Sequence, residues 1–169
     1  MKTKKIIIGL SILGVLFISL LILFNLKNIS SNFNETEGQE KTVKVKVYFN
    51  NNIFDPGISC DKVFPVEREI TKEENNMRST IVALLDGPTE AEIEAGYYTN
   101  INGGVFINEV LIEDGMIKAD FDAQLLKDVA GSCRVTAIRA QITETLRQFL
   151  KNAEVNISVD GRFEEILQP

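Results

Sequence analysis

The longest apolar segment of the chain runs from Ile6 to Leu26 and contains no charged residue. A helix of about 20 apolar residues spans the roughly 30 Å hydrocarbon core of a bilayer. Lys2, Lys4 and Lys5 precede the segment, and by the positive-inside rule they hold the N-terminus in the cytoplasm. The pattern predicts a single-pass anchor in the cell membrane. A cleaved signal peptide is the alternative, although its apolar region is usually only about 7–15 residues long.

The pattern divides the chain into four parts. Residues 1–5 are expected in the cytoplasm and residues 6–26 in the membrane. Residues 27–42 are polar and poor in apolar side chains, so they are expected to form a flexible tether. Residues 43–169 have the length of one ordinary domain, which would then lie outside the cytoplasm.

Alternating apolar and polar residues predict the strands of this domain. Asp114-Gly115 separates two of these segments and is a strong signal for a two-residue hairpin turn. Asp160-Gly161 predicts a further turn, followed by a short strand through Phe163 and Ile166. The predicted strands span residues 43–49, 63–68, 105–113, 116–121 and 155–159.

Three helices are predicted from start and stop signals. Thr71 and Glu74 form a capping-box pattern for the first helix, and Gly87 and Pro88 end it. A second capping box, which pairs Thr89 with Glu92, begins a short helix that Gly96 ends. Asp122 is expected to cap a helical turn.

The third helix carries one apolar stripe, formed by Val135, Ile138, Ile142, Leu146 and Phe149. Helices that each have one apolar face predict a two-layer α+β domain, with the helices packed on one face of a mainly antiparallel or mixed sheet.

The amino-acid composition argues against several classes of function. Beyond residue 30, 14 basic residues face 24 acidic ones, a net charge of −10, which is not the basic surface that nucleic acids require. The chain has no His, so Ser-His-Asp, Cys-His and His-zinc sites are excluded. No cofactor, metal site or catalytic residue is predicted.

The two cysteines, Cys60 and Cys133, lie in loop-like sequence rich in Gly, Ser and Asp. An even cysteine count in an exported domain favours a disulfide between them. Two separate buried thiols are the alternative.

Several segments, in this order, resemble the GerMN family of sporulation and spore-germination domains. The resemblance covers about residues 43–162 and is carried by Val45–Phe49, Val63–Arg68, Ala83–Thr89, the Asp114-Gly115 hairpin ending in Asp120-Phe121, Gly131-Ser132, Thr145–Phe149 and Val159–Gly161. It implies a non-catalytic, membrane-attached module outside the cytoplasm, and some relatives resemble ring-building motifs that assemble side by side. The motif residues are expected to be structural: Arg68, Leu84, Leu85, Gly87, Pro88, Thr89, Asp114, Gly115, Asp160 and Gly161.

The expected partners are envelope proteins or peptidoglycan, and a homo-oligomer is one candidate assembly. The alternative function is a cell-wall (peptidoglycan) hydrolase or its direct regulator, because Glu92, Glu94 and Glu109 offer carboxylates for a glycosidase pair.

Overall fold

A computed structural model describes residues 19–24, 41–57, 59–163 and 166–167. The chain divides into two units, Met1–Glu40 and Lys41–Pro169, and the second unit carries the fold described below. Residues 19–24 are helical, and the rest of the predicted anchor, 6–26, lies outside the described residues. Within the described ranges, no helix has the length and hydrophobicity that crossing a bilayer requires.

Strands and helices alternate irregularly along the second unit, which confirms the α+β class. In chain order, the elements among the described residues are β1 (Thr42–Asn51), β2 (Phe64–Thr71), α1 (Asn76–Leu85), α2 (Glu90–Glu94), β3 (Tyr97–Tyr98), β4 (Ile107–Glu113), β5 (Met116–Phe121), a 3-10 helix (Ala123–Leu126), α3 (Ser132–Arg147) and β6 (Val155–Val159).

The strands form two three-stranded sheets, whereas the sequence predicted one. The first has the antiparallel order β2-β1-β3, and the second has the order β4-β5-β6, in which β5 and β6 are parallel. Helix side chains occupy the free strand edges. Beyond β3, the edge of β1 bonds to Thr145 of α3 and to Gln148, the residue that caps the C-terminus of α3. The carbonyls of Asn108 and Val110 on β4 accept hydrogen bonds from Arg78 and Asn75. Edges already occupied in this way cannot pair with another strand, which accounts for the separate sheets.

The core lies between the helices and the sheets and confirms the stripe of α3 in part. Ile138, Ile142 and Leu146 are fully buried, together with Phe49 of β1 and Phe121 of β5. Val135 and Phe149, at the two ends of the stripe, are only partly buried. The stripe therefore fixes the face of α3 that packs inward.

The predicted start of the first helix is wrong. Thr71 belongs to β2, where it pairs with Thr42, and Asn75 is the residue that caps α1. The side chain of Asn75 accepts a hydrogen bond from the backbone N–H of Arg78. Both residues are good caps, and the long-range pairing of β2 with β1 decides between them.

Three other local predictions have different outcomes. Asp122 occupies the N-cap position of the 3-10 helix, as predicted, but its side chain makes no cap bond, and its carboxylate accepts from the backbone N–H of Phe106 at 3.1 Å. Strand β1 extends through Asn50 and Asn51, beyond its predicted end at Phe49. After β6, Val159 and Arg162 form an isolated bridge, and residues 164 and 165 of the short strand predicted there lie outside the described residues.

Candidate functional site

The stretch from Leu84 to Thr89 ends one helix and starts the next. Leu84 is fully buried, and Gly87 has a φ of +79° while its N–H bonds to the carbonyl of Leu84 at 3.1 Å. Thr89 and Glu92 complete a reciprocal capping box at the start of α2, as predicted. Pro88 lies between the two caps, where its lack of an N–H costs no hydrogen bond. Each of these residues thus has a structural task.

Arg68 forms an ion pair inside the domain. Its guanidinium meets the carboxylate of Glu92 through two hydrogen bonds, of 2.5 and 2.6 Å, and it also reaches the carbonyl of Gly87 at 3.4 Å. The side chains of Arg68 and Glu92 are only 18% and 17% exposed. The pair joins β2 to the turn between α1 and α2, so Arg68 serves the fold.

Glu92 is held in its ionised form by this arrangement. The hydrogen bond from Arg68 lowers the pKa of the Glu92 carboxyl, burial opposes the change, and the backbone N–H of Thr89 adds to the lowering. A glycosidase general acid needs a carboxyl whose pKa is raised so that it is protonated near neutral pH. Glu92 is therefore unsuited to that role.

The two Asp-Gly turns hold different ends of the second sheet. Asp114 and Gly115 both have positive φ and join β4 to β5. The Asp160-Gly161 turn approaches Asp120, whose carboxylate accepts from the N–H of Gly161 at 2.8 Å. Burial alone would raise the pKa of Asp120, but hydrogen bonds from Ser158, Asn108 and Gly161 lower it. Among the described residues, no group of three or more Asp, Glu and Cys side chains is arranged to hold a metal ion.

Cys60 and Cys133 form a disulfide, with their Cα atoms 5.0 Å apart. It ties the loop after β1 to the first turn of α3. A buried amide network makes a second tie. The side chain of Gln141 in α3 donates to Asn50 at 2.7 Å, and Asn50 donates to the carbonyl of Lys62 at 3.0 Å. The loop that carries residues 60–62 is thus attached to α3 at two points.

A second feature is an exposed apolar turn directly after β1. Ile53 and Phe54 are 64% and 58% exposed. The ring of Phe54 packs against the rings of Phe64 and Tyr97, with centroids 5.3 and 6.2 Å away. We call Ile53, Phe54, Phe64 and Tyr97 the Phe54 cluster.

Asn51 fixes the shape of this turn. Its side-chain oxygen accepts hydrogen bonds from the backbone N–H groups of both Ile53 and Phe54, at 2.8 and 3.0 Å. Its side-chain nitrogen donates to the carbonyl of Ala95, at 3.0 Å. Asn51 is almost fully buried, so its hydrogen bonds fix the backbone that carries the exposed side chains of Ile53 and Phe54.

The structure brings some of the sequence-predicted residues together and separates others. Arg68, Gly87, Pro88 and Thr89 border one groove between β2 and α1, while the two Asp-Gly turns lie on the second sheet. The Phe54 cluster is not evident from the sequence, because its members are distant in the chain. The run Ile53-Phe54 within a polar segment was the available signal.

Comparisons with known proteins agree with this fold. Residues 46–165 match the Germane family, which is described as "Sporulation and spore germination". No curated protein gave a match. Among solved structures, the tandem GerMN domains of the sporulation protein GerM from Bacillus subtilis are 18% identical with a TM-score of 0.52, covering 73% of this chain and 41% of that one.

The first GerMN domain of the same Bacillus subtilis protein is 20% identical with a TM-score of 0.50, and the match covers 72% of this chain and 85% of that one. The present chain spans about two fifths of the tandem-domain structure. At these identities the two likenesses establish the fold alone.

Proposed function

Because the chain belongs to the Germane family of sporulation and spore germination domains, we propose that it is a non-catalytic envelope module. In this proposal residues 6–26 anchor the chain in the cell membrane. The domain outside the cytoplasm binds protein or cell-wall partners, and assembly with further copies of itself is one form of such binding. The observation that carries the proposal is the Phe54 cluster.

The Phe54 cluster has the properties of a protein-binding anchor. Exposed aromatic and large aliphatic side chains supply much of the binding energy at protein interfaces. Because Asn51 already holds the backbone at Ile53 and Phe54, binding costs little additional conformational entropy. A partner that covers this tip would remove apolar surface from water without reshaping the domain.

The Phe54 cluster and the point where the chain enters the domain lie at opposite ends of β1. The tether enters the domain at Lys41, directly before β1, and the Phe54 cluster begins at the far end of that strand. A ten-residue strand is about 33 Å long. The cluster is thus separated from the point of attachment by the length of β1.

The ion pair of Arg68 and Glu92 supports the non-catalytic part of the proposal. Glu92 was one of the three carboxylates considered for a peptidoglycan hydrolase, and its lowered pKa favours a structural role. The capping box that also uses Glu92 supports the same conclusion.

Two measurements test this proposal, one of the membrane topology of the chain and one of peptidoglycan hydrolysis. A reporter that is active only outside the cytoplasm, fused after Pro169, should be active, and the protein should resist carbonate extraction. The purified protein should release no product from peptidoglycan. Release of a shortened chain into the medium would contradict the anchor, and sustained peptidoglycan turnover that Glu92→Gln abolishes would contradict the non-catalytic assignment.

A further inference from the structure

An open groove of about 620 Å³ runs along the outer face of α3. One wall is the loop after β1, with Ser59 and Lys62, and the other is α3, with Arg139 and Thr143. The groove continues past Arg147 into a second concavity lined by Gln148, Lys151 and Asn152. We call the two together the α3 groove.

Both walls of the α3 groove are fixed in place. The disulfide joins Cys60 in the loop wall to Cys133 at the start of the helix wall. Further along, the buried amide of Asn50 links the carbonyl of Lys62 to Gln141 of α3. These links hold the loop, which has no helix or strand structure, at a fixed distance from α3. The groove therefore exists before a ligand binds.

The α3 groove is positive although the domain is acidic. Its basic residues are Lys62, Arg139, Arg147 and Lys151, and its acidic residues are Asp61 and Glu144. The lining therefore carries a net charge of +2, against −10 for the chain beyond residue 30. This separation of charge concentrates anions at the groove.

Two of these cations are free to meet a ligand. The side chains of Arg139 and Lys151 form no hydrogen bond or ion pair with any described residue, whereas Arg147 pairs with Glu144 at 2.7 Å. Arg139 and Arg147 are two i+4 steps apart, about 12 Å along the helix. Thr143 lies between them, and its hydroxyl adds a hydrogen-bond donor.

We propose that the α3 groove binds a linear phosphodiester polymer, with Arg139 and Lys151 contacting different phosphates of one polymer chain. Arg and hydroxyl groups match the geometry of phosphate oxygens. Besides the aromatic ring of Tyr48, the lining offers only the small apolar side chains of Val63 and Ala140, and the groove is shallow and lined mostly by polar residues, unlike the apolar pockets that anchor a protein segment. A repeating polyanion needs no such pocket, because its binding energy comes from charge and counterion release.

The test uses the full chain in discs of zwitterionic phosphatidylcholine, which carry no net charge, and poly(glycerol phosphate) as the probe. The wild type should bind the polymer, and its affinity should fall as salt rises. Arg139→Gln should weaken binding about tenfold. Loss of one phosphate contact should also reduce the slope of log affinity against log salt by about 0.7.

Matched variants and probes decide the outcome. Lys72→Gln removes the same charge from an exposed site outside the groove and should leave binding unchanged. No binding by the wild type, or an equal loss in Lys72→Gln, would overturn the inference. Equal affinity for poly-glutamate would overturn the assignment to phosphate, because it would indicate a general polyanion surface.

This inference names a class of cell-wall ligand for the proposed function, and it rests on that function because the domain must lie outside the cytoplasm to meet such a ligand. The inference and the proposed function can each fail without the other. Absence of polymer binding leaves the Phe54 cluster and the anchor intact. Polymer binding by a chain that is found in the cytoplasm would instead contradict the proposed function.

Discussion

The side-chain amide of Gln148 hydrogen-bonds both backbone groups of Lys46, 102 residues earlier in the chain. Its oxygen accepts from the N–H of Lys46 at 2.9 Å, and its nitrogen donates to the carbonyl at 2.7 Å. One amide side chain thus takes the place of a neighbouring strand along the edge of β1. This arrangement satisfies backbone groups that would otherwise invite pairing with another chain.

Replacing Gln148 with Leu should lower the free energy of unfolding by about 1–2 kcal/mol, because both backbone groups of Lys46 lose their protein partner. The freed edge should also increase aggregation. Chemical denaturation and light scattering measure the two effects. Arg139→Leu, at an exposed position of α3 whose side chain has no polar partner among the described residues, should change stability by less than about 0.5 kcal/mol. Equal effects of the two variants would contradict the role of Gln148.

A double-mutant cycle of Arg68→Met and Glu92→Gln should give a coupling energy of about 1–2 kcal/mol. The pH dependence follows from the lowered pKa of Glu92. Its stabilising contribution is fully present above the pKa of the unfolded chain, about 4.3, and is lost as pH falls towards the lower pKa of the folded state. Glu92→Gln should remove that part of the acid destabilisation. An unchanged acid profile in this variant would show that the pair contributes nothing to it.

Gly96→Ala should be far more destabilising than Gly115→Ala. Both glycines have positive φ, but a Cβ on Gly96 would lie 2.5 Å from the side-chain oxygen of Asn52 and 2.7 Å from Cγ1 of Ile53, while Gly115 faces open space. We expect losses of about 2–4 kcal/mol at Gly96 and about 1–2 kcal/mol at Gly115. Thermal unfolding of the two proteins measures the difference, and similar values would indicate that the Ile53–Phe54 turn yields easily.

Reducing the disulfide should destabilise the domain by about 2–4 kcal/mol, because the bond closes a loop with a sequence separation of 73 residues. The double variant Cys60→Ser/Cys133→Ser should show the same loss and no further change when a reductant is added. Mass spectrometry of the unreduced protein should give a mass lower by two hydrogens. Two free thiols in the oxidised protein would contradict the bond.

Local chemistry made several elements predictable from the sequence. Asp114-Gly115 fixes its turn because the conformation needs positive φ at both residues. Thr89 and Glu92 form their capping box within one helical turn, and no strand pairing competes for Thr89 as it does for Thr71. The stripe on α3 likewise depends on helical period alone.

The remaining features depend on residues that meet only after folding. Asparagine is common in turns, yet Asn50 is buried, because Gln141 and Asn100 supply hydrogen-bond partners from distant segments. Gln148 gives no local sign that it covers a strand edge. The α3 groove and the Phe54 cluster each combine side chains from separate segments, so no single stretch of sequence contains them.

Site-specific photocrosslinking in intact cells tests the central claim most directly. Phe54 would be replaced by the photoreactive residue benzoylphenylalanine, and Lys72, an exposed residue outside the cluster, would carry it in the control. The account predicts a discrete adduct with an envelope protein or a second copy from position 54, absent from position 72 and lost when Ile53→Ser is added. No adduct from position 54, or adducts that match those of the control, would contradict the claim that the Phe54 cluster binds a partner.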